Sequence, residues 1–303
     1  MQETHIVERK NIDLNKWNAL INQYSQGLPY AFSWYLDAVC NNWKIVIYKD
    51  YEAGFAFQIN KKYGLNYSLH PFLIQQLGFF GKDISLFDNL LKEVEKNVFY
   101  YQYQLNNFNT YDKNILELRK NYELQLNKNY EELQKSYKTN TKRNLKKAKN
   151  NSIHITKEHS FRPDDMDFIL KNSKISFNSI RIKQLKQLLE NANKNNSLEI
   201  YRAQKTSELI ALVIFIKNKI RSVYLMAIST PKGQELKANF LIVDSFIQDN
   251  ENTNLILDFE GSNIEGIARF YAGFGARESN YQAIKKITFK NLINKIISNN
   301  YFI

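Results

Sequence analysis

The chain has 303 residues, 44% hydrophobic and 14% aromatic, apolar enough to offset the entropy of ordering, so global disorder is excluded. Its 42 cations against 30 carboxylates leave a charge of +12, which raises the question of an anionic partner. The 33 lysines and 38 asparagines also point to a background enrichment in polar residues, which would spread charge thinly. A single cysteine, Cys40, excludes an internal disulfide framework, and His5, His70, His154 and His159 fall at no metal-ligand spacing.

At about 150 residues per domain, the length suggests two domains. The N-terminus MQETHIVERKNID has no apolar core of a secretory signal, and the longest apolar run, Leu209–Ile216, is strand-length. A soluble, cytoplasmic chain without a transmembrane segment is expected. Cys40, among apolar helix residues and without a histidine nearby in sequence, reads as a packing residue.

In chain order, a short strand pattern covers His5–Glu8. Asp13 is placed to cap an amphipathic helix with Leu14, Trp17, Leu20 and Ile21 on one face, and Ser33 to cap a second. KIVIYKD and AGFAFQINKKYG predict a hairpin or meander, followed by an apolar strand and loop over Asn66–Gly81. A helix over Ser85–Asn97 and a strand over Tyr100–Leu105 close the first half.

From Asn129 the pattern restarts, with one long helix over Tyr130–Asn150 and helices over Asp164–Asn172 and Ile180–Asn193. Three strands, LEIYRAQ, LIALVIFIKN and IRSVYLMAIST, precede a loop over Pro231–Lys237 and a helix over Ala238–Gln248. The strand NLILDF, a helix over Ile267–Phe274 and the strand NYQAIKK end the unit. The fold class is α/β, and the near-repetition of element order predicts an internal structural duplication. The domains expected are 1–127 and 128–287, with the amphipathic tail 288–303 packing back on the first.

Two features carry charge or chemistry. Between Arg119 and Asn151 stand ten cations and three glutamates, a net +7, with Lys135, Lys138, Lys142, Lys146 and Lys149 at helical spacing. Such a stripe is either a solvated face or a phosphate-facing surface. Asp258 and Glu260 lie two apart on LILDFEGS, which places both carboxylates on one face of a strand. Paired carboxylates suit abstraction of a proton from a bound group, although Glu260 could equally cap the following helix.

Three stretches, YEELQKSYKTNTKRNLKKAKNNSIHI, LDFEGSNIEGIARFYAGFGA and PFLIQQLGFFG, resemble parts of FemABX-type transferases. The second half's element order is similar to the GNAT N-acyltransferase fold. The resemblance implies two tandem GNAT-like domains, each a mixed central sheet flanked by helices. It implies transfer of an acyl or aminoacyl group from acyl-CoA or aminoacyl-tRNA, as co-substrate, to an amine, with no tightly bound cofactor. The acceptor implied is a small-molecule or nucleotide-linked amine such as a cell-envelope precursor, and peripheral membrane association stays open.

Carried over residue by residue, the resemblance implies donor or phosphate contacts at Lys142, Arg143, Gly233, Gln234, Lys237 and Asn239. It implies catalytic roles for Asp258, Glu260, Tyr271 and Tyr281, the tyrosines as proton donors to the leaving group. Gln75, Gln76, Ser262 and Phe274 would line the acceptor cleft. Two departures stand out. Lys237 occupies the first glycine position of the pyrophosphate loop, and Tyr271 stands where the peptidoglycan branch has the lysine associated with charged tRNA. A non-catalytic tRNA-binding module and a degenerate GNAT scaffold are the alternatives.

Overall fold

A computed structural model of the chain describes residues 3–261 and 263–288. The elements are β1 (Thr4–Glu8), α1 (Leu14–Tyr24), α2 (Ser33–Val39), β2 (Trp43–Tyr48), β3 (Ala53–Gln58), β4 (Asn60–Lys62), β5 (Leu65–Leu69), β6 (Phe79–Gly81), α3 (Phe87–Glu95) and β7 (Tyr100–Gln104). There follow β8 (Ile115–Gln125), α4 (Tyr130–Lys135), α5 (Thr139–Lys149), β9 (His154–Glu158), α6 (Pro163–Asn172), α7 (Ser179–Lys194), β10 (Leu198–Lys205), β11 (Glu208–Lys217) and β12 (Arg221–Ser229). The chain continues through α8 (Pro231–Glu235), α9 (Ala238–Asp249), β13 (Ile256–Asp258), α10 (Glu265–Gly273) and β14 (Arg277–Ile287). Two compact units form, Met1–Arg119 with the chain from Asn280, and Lys120–Ser279. The expected packing of the tail 288–303 concerns residues that lie, but for the first, outside those described.

In the first unit, β1-β2-β3-β6 form an antiparallel sheet and β4-β5-β7-β14 run side by side, with β5 and β7 parallel. Asp13 caps α1, its Oδ1 accepting from the amides of Asn15 and Lys16 at 3.0 and 3.1 Å. Trp17, Leu20 and Ile21 form the buried face. Ser33 does not cap α2, which begins after Phe32 without a side-chain cap; its hydroxyl instead accepts from Asn18 Nδ2. Cys40 is buried, and desolvation pushes its thiol well up from the ordinary value, as a packing residue requires.

In the second unit the strand order is β8-β13-β12-β11-β10-β9. The β9–β12 neighbours are antiparallel, whereas β12 and β13 are parallel and joined by a crossover through α8 and α9. The apolar run of β11 is buried from Ile210 to Ile216, as expected of a central strand covered on both faces. Opposite Asp165 at the start of α6, Arg202 of β10 makes a bidentate pair in which both side chains are 2% exposed. A buried guanidinium needs such a partner, and this one ties α6 to the sheet.

Two elements differ from the sequence pattern. An 11-residue strand, β8, occupies a stretch to which the sequence pattern assigns no element, because ILELRKNYELQ alternates too weakly to signal a strand alone. The expected long helix over Tyr130–Asn150 is two helices. At the break, Lys138 is extended and its amide donates to Gly273 O at 2.9 Å instead of to the preceding turn. The hydroxyl of Ser136 satisfies Leu133 O at 2.6 Å. A tertiary hydrogen bond therefore ends α4, which helical periodicity cannot foresee.

Candidate active site

The parallel pair β12–β13 is joined only over Arg221–Val223 against Ile256–Asp258. Beyond those residues β12 runs on to Ser229 while the chain after β13 turns into α10. Crevices at the carboxyl ends of parallel strands are the usual ligand positions of open α/β sheets. Tyr224, Phe259, Tyr271 and Phe274 pack there, with ring centroids 4.9 Å apart for Phe259–Tyr271 and 5.9 Å for Tyr224–Tyr271. Phe274 is fully buried between Tyr137 and Phe270, so it serves this core.

One wall of the crevice is the start of α9. Lys237, immediately before it, is left-handed at φ 63° and ψ 32°, the conformation that a glycine would adopt without strain. The amides of Ala238 and Asn239 meet no acceptor among the described residues. Asn239 Oδ1 is buried without a hydrogen-bond partner among them. Two free amides on a 12-residue helix present partial positive charge. The expected loop Pro231–Lys237 is mostly the helical turn α8, capped by Thr230. Gly233 belongs to packing: a Cβ there would lie 2.1 Å from Ile210 O, so only glycine lets α8 rest on β11. Gln234 is exposed and its Nε2 donates to Ser229 O at 3.4 Å.

The other wall follows β13. Asp258 and Glu260 do not share a strand face, because the strand ends at Asp258 and Glu260 is left-handed at φ 58°. Asp258 is wholly buried and accepts from Arg221 Nη1 at 2.6 Å, and that nitrogen also donates to Glu123 Oε1 at 2.7 Å. Its Oδ1 takes the Glu260 amide at 2.9 Å and so fixes the turn that presents Glu260. Burial raises the Asp258 carboxyl above the ordinary aspartate value; the Arg221 charge opposes this, and Glu123 adds to it. Glu260 is half-buried and does not cap α10, whose N-cap position is Ile264 and which has no side-chain cap. Ser262 lies outside the described residues. Tyr271 is held protonated, first by burial and then by the charges of Glu260 and Asp258.

The basic helix α5 buries Thr141, Leu145 and Ala148. Gly273 lets α10 approach it, since a Cβ there would stand 2.3 Å from Thr141 Oγ1. The cationic stripe is not uniform. Lys149 pairs with the buried Asp244 at 3.0 Å, and Lys138 is a cap rather than a helix-face residue. Lys142 and Arg143 are exposed; Lys142 Nζ donates to Lys135 O and Arg143 Nη2 to Asn140 Oδ1.

In the first unit Gln75, Gln76 and Tyr281 share one network. Gln76 Nε2 donates to Gln75 Oε1 at 2.9 Å, and Gln76 Oε1 accepts from the Asn107 amide at 2.9 Å. With its amide oriented to satisfy its neighbours, Gln104 donates to Gln75 O and Tyr281 Oη at 2.8 and 3.2 Å and accepts from Arg119 Nη1 at 3.1 Å. The ring of His70 lies between Ile74 O and the Gln104 amide, and desolvation lowers its pKa to about 4. Tyr281 thus belongs to a different unit from Tyr271.

No protein-family model and no curated protein matches the sequence. Solved structures do. FemX matches with a TM-score of 0.65 at 10% identity, over 96% of this chain and 99% of its own. The C-terminal domain of a protein assigned as a lysylphosphatidylglycerol synthetase, from Agrobacterium fabrum, gives 0.57 at 10% over 95% of both chains. A tandem GNAT protein from the clavulanic acid biosynthesis pathway gives 0.55 at 9%, over 94% of this chain and 99% of its own. The chain has a tandem GNAT-like fold. At this identity the likeness is one of architecture.

Within this tandem GNAT-like fold, the second unit brings Lys237, Asn239, Asp258, Glu260 and Tyr271 to elements that follow two adjacent parallel strands. Arg221, Glu123 and Asn121 are polar partners that sequence reasoning missed. A lone arginine opening the apolar strand RSVYLMAIS was the available signal, because a buried guanidinium demands a carboxylate. No helix among the described residues is long and apolar enough to cross a membrane.

Proposed function

We propose that this protein is an N-acyltransferase that moves an acyl or aminoacyl group from an activated, phosphate-bearing donor to an amine. The observation that carries the proposal is the start of α9, where two amides without acceptors among the described residues stand beside Lys237. An anionic donor group there would meet helix-terminal N–H groups and one lysine. Lys142 and Arg143 are proposed as further phosphate contacts, with the arginine able to bind bidentately.

Of the two carboxylates, Glu260 is the proposed base and Asp258 its anchor, since Asp258 is consumed by Arg221 and by the Glu260 amide. Glu260 would remove the proton from the amine as its nitrogen bonds to the donor carbonyl. The tetrahedral oxyanion then collapses, breaking the bond to the thiolate of CoA or the ribose oxygen of tRNA. Tyr271, kept protonated by burial, would return a proton to that leaving group. Positioning and carbonyl polarisation supply most of the acceleration in such transfers. A cell-envelope precursor is the acceptor class suggested by the architecture alone.

The test is transfer to amine acceptors by purified protein offered acetyl-CoA, longer acyl-CoA and charged tRNA. Glu260→Gln should lower turnover by two orders of magnitude or more, on the order of 10²–10⁴-fold for a general base. Absence of transfer and of binding with every donor refutes the proposal. A second reading, tRNA binding without catalysis, is favoured by the exposed Lys142 and Arg143. It predicts salt-dependent tRNA binding that is lost on replacing both by alanine and indifferent to Glu260→Gln.

A further inference from the structure

Residues 168–189 carry five cations, Lys171, Lys174, Arg181, Lys183 and Lys186, and no carboxylate. They span the end of α6, the connector after it and most of α7. Lys171, Lys174, Lys183 and Lys186 are exposed and make no ion pair among the described residues. The same segment exposes large aliphatic side chains: Leu170 is 39%, Ile175 54% and Ile180 59% accessible. The inward face of α7 is Leu185, Leu188, Leu189 and Ala192. Ile180, Lys183 and Gln187, at spacings of three and four, fall on the opposite face together with Lys186. Glu190, one turn further along α7, is the first carboxylate after them.

A solvated surface accounts for the lysines but gains nothing from three exposed aliphatic groups within 11 residues. A nucleic-acid surface uses the lysines on its phosphates, and its apolar contacts are confined to the bases within the grooves or loops. An anionic bilayer uses both features. Its surface potential attracts exposed lysines, and its interfacial region takes up aliphatic side chains from a helix or loop lying flat on it. We propose that the α6–α7 segment, Leu170 to Gln187, is a peripheral docking surface for anionic lipid membranes. This proposal is independent of the transferase reading, since it rests on the charge and exposure of residues that take no part in that reading.

The experiment is co-sedimentation of the full chain with vesicles of phosphatidylcholine alone or with about one-third phosphatidylglycerol. Binding to the anionic vesicles should exceed binding to the neutral ones and should fall steeply toward about 1 M salt. The Lys183→Gln/Lys186→Gln pair should weaken partitioning by about 25-fold, roughly fivefold per lysine. Ile175→Ser/Ile180→Ser should weaken it by at least about tenfold, because the apolar contribution is lost. Unfolding midpoints should be unchanged in both, since all four side chains are exposed. Lys146→Gln/Lys147→Gln on α5 should leave partitioning within about twofold of wild type apart from a long-range charge effect. Failure to bind anionic vesicles overturns the proposal. So does binding that survives both α7-segment pairs, or that the α5 pair abolishes equally. Salt-dependent tRNA binding that both segment pairs abolish, in place of vesicle binding, would assign the segment to nucleic acid instead.

Discussion

Arg221→Met isolates the buried polar centre of the second unit. The guanidinium is 1% exposed and its partner Asp258 is fully buried, at 2.6 Å; Glu123, at 2.7 Å, is partly solvated. Methionine occupies a similar volume but leaves a buried carboxylate without its countercharge. Breaking such a pair from one side costs about 3–5 kcal/mol, a large share of the roughly 5–15 kcal/mol that holds a typical protein folded. The loss should depend on pH. Burial already raises the Asp258 carboxyl in the folded state, and the Arg221 charge restrains that rise. Without Arg221 the folded-state value climbs further above the unfolded one. A group with a raised folded pKa binds more protons when folded, so stability falls as pH rises between the two values, by up to about 1.4 kcal/mol per pH unit. The deficit of the variant should therefore be smallest near the ordinary aspartate pKa and largest at neutral pH. Urea unfolding of wild type and variant from about pH 4 to pH 8 measures it. Adding Asp258→Leu to Arg221→Met should recover most of the loss, since no buried charge remains. A deficit below about 1 kcal/mol at neutral pH, or one independent of pH, would refute the reasoning.

Gly233→Ala should cost about 1–3 kcal/mol or more in chemical denaturation, because its Cβ would meet the rigid Ile210 carbonyl at 2.1 Å. Leu145→Ala, at a 4% exposed position on α5, should cost about 2–5 kcal/mol and leave the exposed charges of that helix intact. Lys237→Gly should leave stability within about 1 kcal/mol, since relief of the left-handed lysine offsets the added freedom of the unfolded chain. The same substitution should weaken binding of an anionic donor, measured by calorimetry; unchanged affinity would remove Lys237 from the proposed site.

Much of the fold is legible in the sequence because it depends on local signals. The Asp13 cap, the apolar stripe Trp17–Leu20–Ile21 and the unbroken run Leu209–Ile216 each encode their element through side-chain period or capping chemistry. The repeated element order suggested two similar halves, and the structural likeness to FemX and to a tandem GNAT protein bears out that fold. The candidate site was legible in part. Lys237, Asn239, Asp258, Glu260 and Tyr271 stand out by type and order, but their division of labour does not.

That division is tertiary. Sequence spacing pairs Asp258 with Glu260 on one strand face, whereas Arg221, 37 residues away, captures the aspartate and leaves the glutamate on a left-handed turn. The continuous helix read from Tyr130 to Asn150 is broken by an amide bond from Lys138 to Gly273 O, across 135 residues of chain. By itself the sequence determined most of the helices and strands and how much charge the chain carries, because those follow from neighbours within a few residues. Only the tertiary structure decided which charges are buried, paired or free, because an ion pair is a meeting of residues that the chain order keeps apart.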